Sequence, residues 1–163
     1  MNMFRIEMHD LECARLRLRA QKLSLVVVKD RKVIYESGSH GITSFLEAAG
    51  ILGTKLAGSA VADKIVGRAV AFLCVHFQVS AVFAVVLSIE GVHVLKDNNV
   101  FYQFEKCVPH IQNQKGNGMC PFERLALTFT TPEEAYRKLR ECKVTIGYRS
   151  SSNEASQIRK TQP

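Results

Sequence analysis

Apolar residues recur with helical spacing near the start of the chain and with strand spacing directly afterwards. Over residues 10–21 they return every three to four positions among arginines, which predicts an amphipathic surface helix. Two segments rich in β-branched residues follow at 23–29 and 33–36, and the polar residues between them predict a β-hairpin. The turn type stays open, because Asp30 is followed by Arg31 and not by glycine.

The middle of the chain predicts two helices and a buried strand. Ser44 and Glu47 have the S-x-x-E spacing of a capping box, which predicts a helix from Ser44 to about Gly50. A longer helix is expected from an N-cap at Ser59, because apolar residues then recur on one helical face (Ala62, Ile65, Val66, Ala69, Val70, Leu73). Residues 82–87 are rich in valine and predict a core strand.

Residues 69–89 carry no charge and match the roughly 20 residues that span a bilayer. Polar side chains stand in the middle of this stretch at His76, Gln78 and Ser80, where hydrocarbon would tolerate them least. We therefore expect a core helix that turns into a core strand, with no membrane span.

The last third predicts alternating elements and then a polar tail. A short helix is expected at 89–97, an extended segment at 100–108 and a glycine-rich loop at 112–118. Two helices follow, one from Pro121 to about Leu127 and one that Thr131 and Pro132 begin and that ends near Lys143. Residues 147–163 lack apolar periodicity and are expected to be disordered, which leaves a single domain at 1–146. Helices and strands that alternate after a hairpin predict a three-layer α-β-α sandwich with a mixed sheet.

Composition restricts the class of protein. The chain has 163 residues, of which 47% are hydrophobic, and this suits one globular domain with a real core. Five cysteines without C-x-x-C spacing favour reduced thiols, and the N-terminus lacks the apolar run of a signal peptide, so we expect a cytoplasmic protein. The net charge of +7 lies mainly in residues 1–36 and 132–163, away from the nearly neutral middle.

Cys120 is the first candidate for chemistry. The loop containing Gly118 leads into it and Pro121 suits the first helical position, so Cys120 is expected to be an N-cap. Free backbone N–H groups and the helix dipole would then favour its thiolate. The alternative is a small buried hydrophobe, as most free cysteines are. Glu123, three residues on, is expected to be a cap that bonds back to the start of its own helix, with an acid, base or ligand role as the alternative.

Asp63 and Lys64 are the second candidates, near the expected start of an apolar helix that also carries Gly67 and Arg68. Charges at the mouth of a core helix must be paired or must face a cleft, so at least one of them is expected to point into a site. A plain first-turn aspartate, stabilised by the helix dipole, is the alternative. Motifs for common catalytic classes are absent, including H-E-x-x-H, H-x-E, Walker A and G-x-S-x-G.

Several segments resemble a small bacterial family of unknown function with a cytidine deaminase-like fold. The A-D-K-x-x-G segment at 62–67 and the G-x-G-M-C-P segment at 116–121 carry the resemblance, with residues 23–30 and 131–136 in support. It covers about residues 11–142. The resemblance implies a sheet between helices, with the helix starts near Ser59 and Pro121 side by side.

In true deaminases such helix starts hold zinc through H-x-E and P-C-x-x-C motifs. This sequence departs at both, because 62–64 read Ala-Asp-Lys and the second motif keeps only Cys120, with Glu123 at the spacing of the second cysteine. Catalytic zinc strongly prefers histidine and cysteine ligands, so we expect no metal and no cofactor.

The combined hypothesis is a small-molecule site for an anionic or nucleotide-like ligand, and it leaves open whether the protein is an enzyme. Cys120, Asp63 and Lys64 would be the reactive groups, and the ligand would be held by Lys64, Gly67, Arg68, Gly118 and Glu123. One alternative is an RNA-binding or interaction module that uses the basic ends, although a single-strand binder would need an aromatic and basic stripe that is missing here. An atypical metalloenzyme with Asp63, Cys120 and Glu123 as ligands is the other. Nucleic acid is disfavoured as a partner, and a homo-oligomer is left open.

Overall fold

The computed structural model describes residues 3–143, and side chains from residue 5 onward. The elements are α1 (Met3–Ala20), β1 (Leu25–Lys29), β2 (Lys32–Ser37), α2 (Ile42–Leu52), a 3-10 turn (Gly53–Leu56), β3 (Ala60–Val66), α3 (Arg68–His76), β4 (Ala81–Ser88), α4 (Ile89–Asp97), β5 (Phe101–Val108), α5 (Pro121–Ala126) and α6 (residues 132–143). The expected disordered tail at 147–163 lies outside the described residues.

The five strands form one mixed sheet in the order β2-β1-β3-β4-β5. β1 is antiparallel to both β2 and β3, whereas β3, β4 and β5 run parallel to one another. Helix α1 packs on one face, where its Leu11, Ala14 and Leu18 meet the sheet. The larger core lies on the other face, beneath the remaining helices. The predicted three-layer α/β sandwich with a mixed sheet that begins with a hairpin is confirmed.

The hairpin is confirmed, and its turn shows why glycine is not required. Asp30 and Arg31 both adopt positive φ, at 50° and 64°, as the two-residue turn that matches strand twist demands. The buried Asp10 of α1 accepts a hydrogen bond of 2.9 Å from the backbone N–H of Arg31. The first helix thereby holds the turn in place.

The helix expected from Ser59 is wrong, because residues 60–66 form strand β3 and the helix starts only after Gly67. Asp63 and Lys64 therefore lie on a strand. β3 is paired on both sides, with Asp63 opposite Leu25 of β1 and Ala84 of β4. A strand buried on both faces is apolar almost throughout, and such a run satisfies helical spacing by coincidence.

The capping box at Ser44 is also wrong. Helix α2 begins two residues earlier, with Gly41 as its N-cap at φ 71°. The Ser44 hydroxyl donates to the Gly41 carbonyl at 3.0 Å instead of accepting from the helix start. The other predicted elements are confirmed, with α1 starting earlier than the expected residue 10.

Candidate functional site

The carboxyl ends of the parallel strands bring three helix starts to one edge of the sheet. β3 leads through Gly67 into α3, and β4 leads through Ser88 into α4. Helix α5, which follows Cys120, packs against α3. In open α/β sheets this edge is where ligands bind.

Glu123 occupies the start of α3. Its carboxylate accepts hydrogen bonds from the backbone N–H of Arg68 at 2.8 Å, from the N–H of Ala69 at 3.5 Å and from the Ser88 hydroxyl at 3.0 Å. The side chain is only 3% exposed. A negative charge at this place neutralises the positive end of the α3 dipole and satisfies donors that the helix leaves free. The expected cap of its own helix is therefore wrong, because Glu123 caps a different one.

Gly67 is needed because Glu123 lies so close. A Cβ atom at residue 67 would overlap the Glu123 carboxylate. The backbone of Gly67 is extended, with φ at −99°, so the close approach and not the conformation selects glycine. Gly67 thus serves the packing of α5 on α3.

Arg68 is held by contacts within the protein. Its guanidinium donates to Glu90 at 3.0 Å, to the Ala126 carbonyl at 2.9 Å and to the Phe129 carbonyl at 3.5 Å. The same group lies 5.0 Å above the ring of Phe72. These bonds tie the end of α5 to α3 and α4. The Arg68 guanidinium is therefore bound within the protein.

Asp63 stands apart from this network. Its side chain is 6% exposed, and Oδ1 accepts a hydrogen bond of 3.0 Å from the backbone N–H of Ile65. Among the described residues no ion pair involves Asp63. Burial away from water outweighs the backbone N–H groups of Ile65 and Lys64 and raises the pKa of Asp63 to about 7.

Cys120 is the N-cap of α5 as expected, and its side chain makes no capping hydrogen bond. Its backbone N–H donates to the Ile111 carbonyl at 2.8 Å, and the Gly118 carbonyl accepts from Asn113 at 2.8 Å. The glycine-rich loop is therefore closed by its own bonds. The Cys120 thiol is partly exposed.

The structure brings some predicted residues together and leaves others separate. Gly67, Arg68 and Glu123 are in direct contact through the bonds above. Asp63 precedes Gly67 by four positions on β3, and the described part of the chain holds no hydrogen bond that joins it to Cys120. Sequence reasoning missed Ser88, which accepts from the N–H of Gly91 at 3.0 Å while it donates to Glu123. A serine directly before a helix was the available signal.

The residues present do not fit a deaminase zinc ion. Gly67 and Arg68, at the start of α3, offer no thiolate or imidazole, and the carboxylate of Glu123 already accepts three hydrogen bonds. Over residues 3–143 no group of three His, Cys, Asp or Glu side chains is placed to hold a metal. The alternative ligand set of Asp63, Cys120 and Glu123 is therefore not assembled.

Comparisons with known proteins place the chain beside a structurally characterised relative. The model of the family described as "Domain of unknown function (DUF1893)" matches residues 14–142. A DUF1893 family protein from Thermotoga maritima is 28% identical, with a TM-score of 0.74, over 83% of this chain and 91% of that one. No curated protein matches.

More distant solved structures are deaminases. A diaminohydroxyphosphoribosylaminopyrimidine deaminase/5-amino-6-(5-phosphoribosylamino)uracil reductase from Thermotoga maritima is 17% identical, with a TM-score of 0.47, over 74% of this chain and 42% of that one. The dCMP deaminase of cyanophage S-TIM5 is 15% identical, with a TM-score of 0.43, over 64% of this chain and 98% of that one. Within residues 3–143 no helix is long and apolar enough to cross a membrane.

Proposed function

Since this chain belongs to the DUF1893 family, whose function is unknown, we propose from its own geometry that it binds a small anionic or nucleotide-like molecule at the carboxyl edge of β3, without zinc, and exchanges a proton with it through Asp63. The observation that carries the proposal is a carboxyl that is 6% exposed and has no cation partner among the described residues. Burying such a group costs stability. Buried carboxyl groups without a cation cluster at functional sites, because catalysis needs groups with shifted pKa values.

The environment of Asp63 suits proton transfer near neutral pH. A general acid or base works best when its pKa lies near the operating pH, and desolvation raises the pKa of Asp63 to about 7. The carboxyl would therefore exist in both protonation states under ordinary conditions. This supports a reaction in which a proton moves, with Cys120 as a candidate second reactive group.

The class of ligand rests on fold analogy. A deaminase-like fold favours a nucleotide-like molecule by analogy alone. Lys64 follows Asp63 directly on β3, and successive side chains of a strand point to opposite faces of the sheet, so the proposal does not use the expected role of Lys64 at the Asp63 site. Gly67, Arg68 and Glu123 are assigned to packing in this proposal, because Glu123 bonds to the backbone of Arg68 and lies against Gly67, and the Arg68 guanidinium bonds to Glu90 and Ala126.

Calorimetric titration with cytidine 5′-monophosphate, and separately with inorganic phosphate, tests the proposal. We expect the nucleotide to bind the wild type with an affinity that changes between pH 6 and pH 8. Asp63→Asn should reduce this change to the part that comes from the ligand's own phosphate, whose second pKa is about 6. Asp97→Asn, at an exposed position at the end of α4, is the matched control. Lys64→Ala, on the opposite face of β3, should leave nucleotide binding unchanged. A wild type that binds neither probe, or binding that Asp63→Asn leaves unchanged, would contradict the proposal.

A further inference from the structure

Strand β5 forms one edge of the sheet. It is the last strand in the order, and over residues 3–143 no other segment pairs with its outer side. Residues 103–107 in its middle are exposed, and Phe104 retains 43% of its exposure. A long edge strand with an exposed aromatic residue is a template for pairing with another strand.

The hydrogen bonds to β4 show which backbone groups point outward. The N–H of Phe101 donates to the Ser80 carbonyl at 3.3 Å, so Phe101 and every second residue after it address β4. The N–H and C=O groups of Tyr102, Phe104 and Lys106 consequently point away from the sheet. These three residues carry the donors and acceptors that a further strand would use.

We propose that a second copy of this chain covers this edge, with the two β5 strands antiparallel and a two-fold axis through Phe104. Such an axis is perpendicular to the sheet, so residues that lie opposite each other across it point to the same face. One residue must therefore lie opposite its own copy at the axis. Centring it on Glu105 or on Lys106 would place like charges opposite each other, which is unfavourable. Centring it on Gln103 would use only residues 101–105 of the strand.

An axis at Phe104 lets the outward N–H and C=O groups of both strands form hydrogen bonds. It pairs residues 101–107 and makes the N–H and C=O groups of Tyr102, Phe104 and Lys106 bond to those of the partner. Tyr102 then opposes the partner's Lys106, and Gln103 opposes the partner's Glu105. The rings of Tyr102 and Phe104 already stack, with centroids 6.4 Å apart, and their partner copies would extend the stack across the axis.

Sedimentation velocity of the full chain over a range of concentrations tests the pairing. We expect a monomer–dimer equilibrium for the wild type, and a dissociation constant at least tenfold higher for Phe104→Lys, because two lysines then face each other at the axis. Ile51→Lys is the matched control: Ile51 is 73% exposed on α2, so the same change of charge there should leave the dissociation constant unaltered. Circular dichroism checks that both variants fold.

Disulfide trapping tests the register. In a background that carries Cys13→Ser, Cys107→Ser, Cys120→Ser and Cys142→Ser, which leaves only the buried Cys74, the pair Gln103→Cys and Glu105→Cys should cross-link two chains on oxidation. Only the axis at Phe104 places residue 103 opposite residue 105 of the partner. Neither single substitution should cross-link. Three results would overturn the proposal: a cross-link in either single variant, a wild type that stays monomeric, or a dimer that Phe104→Lys and Ile51→Lys affect equally. A monomeric wild type would leave the chain's own residues 144–163 as another candidate to cover this edge.

Discussion

At the scale of single residues, Glu123 links two helices that lie far apart in the sequence. Replacing Glu123 by alanine should lower the free energy of unfolding by about 1–3 kcal/mol, since the N–H groups of Arg68 and Ala69 and the Ser88 hydroxyl lose their buried acceptor. Urea unfolding measures the change. Glu133→Ala, at an exposed position in α6, should cost less. Equal losses in the two variants would show that the buried carboxylate contributes nothing special.

Gly67 and Glu123 should show coupled effects. Gly67→Ala alone should destabilise by about 1–3 kcal/mol, because the added methyl group overlaps the Glu123 carboxylate. In a Glu123→Ala background the same substitution should cost clearly less, since the overlapping atoms are gone. A double-mutant cycle from urea unfolding gives the coupling energy, and a coupling of zero would contradict the predicted close approach.

Asp63 predicts a pH dependence of stability with a definite sign. Burial raises the pKa of Asp63 from 3.8 to about 7, so between these values the folded protein holds a proton that the unfolded chain has lost. The stabilisation from this proton is complete below pH 4, falls as the pH rises toward 7 and is absent above it. The difference in stability between wild type and Asp63→Asn should therefore drop between pH 4 and 7 and stay level at higher pH. Urea unfolding at several pH values measures it, and a constant difference would refute the shift.

The candidate site residues show where sequence reasoning stops. Cys120 was placed correctly as an N-cap because its signals are local, a flexible loop before it and a proline after it. The role of Glu123 depends on how α5 packs against α3, and no spacing along the chain records that contact. The sequence predicts Arg68 as a ligand-binding cation because it does not show the distant partners of the guanidinium. In the structure this group binds Glu90 and the Ala126 carbonyl.

At the scale of elements, most helices and strands follow from local patterns, and β3 is the exception. The hairpin follows from two β-rich segments around a polar turn, β4 from its valine-rich run, and α5 and α6 from a proline at the first helical position. β3 was mistaken for a helix because pairing with β1 and β4, and not the preference of its residues, decides its structure. With β3 misassigned, Asp63 and Lys64 were placed at a helix start that does not exist.

The start of α6 gives a prediction at this scale. Thr131 Oγ1 accepts a hydrogen bond of 3.2 Å from the backbone N–H of Glu134. The Glu134 carboxylate in turn accepts a hydrogen bond of 2.9 Å from the backbone N–H of Thr130. Thr131→Ala should lower the free energy of unfolding by about 1 kcal/mol through the loss of this cap. Thr131→Ser keeps the hydroxyl and should stay close to the wild type. Thermal unfolding compares them, and equal losses would assign the effect to the lost methyl group.

At the scale of the whole molecule, the sandwich gives the cysteines different exposure to solvent. Cys74 is fully buried on α3, and desolvation, together with the nearby charge of Asp63, raises the pKa of its thiol well above its usual range. Cys107 is exposed on the edge strand. The described layers therefore protect one thiol completely and present another to solvent.

A maleimide pulse under native conditions, at a protein concentration that keeps the chain monomeric, should label Cys107 rapidly and leave Cys74 unmodified. Cys74 should react only through unfolding of the domain, so its labelling rate should rise steeply with urea. Peptide mass spectrometry reads each site, and Cys107→Ser is the control for assignment. Rapid native labelling of Cys74 would show that α3 opens locally.

The capping of α3 by Glu123 also bears on the order in which the chain becomes ordered. Arg68 and Glu123 are 55 positions apart, so their bond cannot form until α5 has docked. While a ribosome is still synthesising the C-terminal third, the first turn of α3 has free N–H groups and frays. In hydrogen exchange during refolding, the amides of Arg68 and Ala69 should gain protection together with those of α5 and after the rest of α3. Helix α5 would thus complete a helix that was made much earlier.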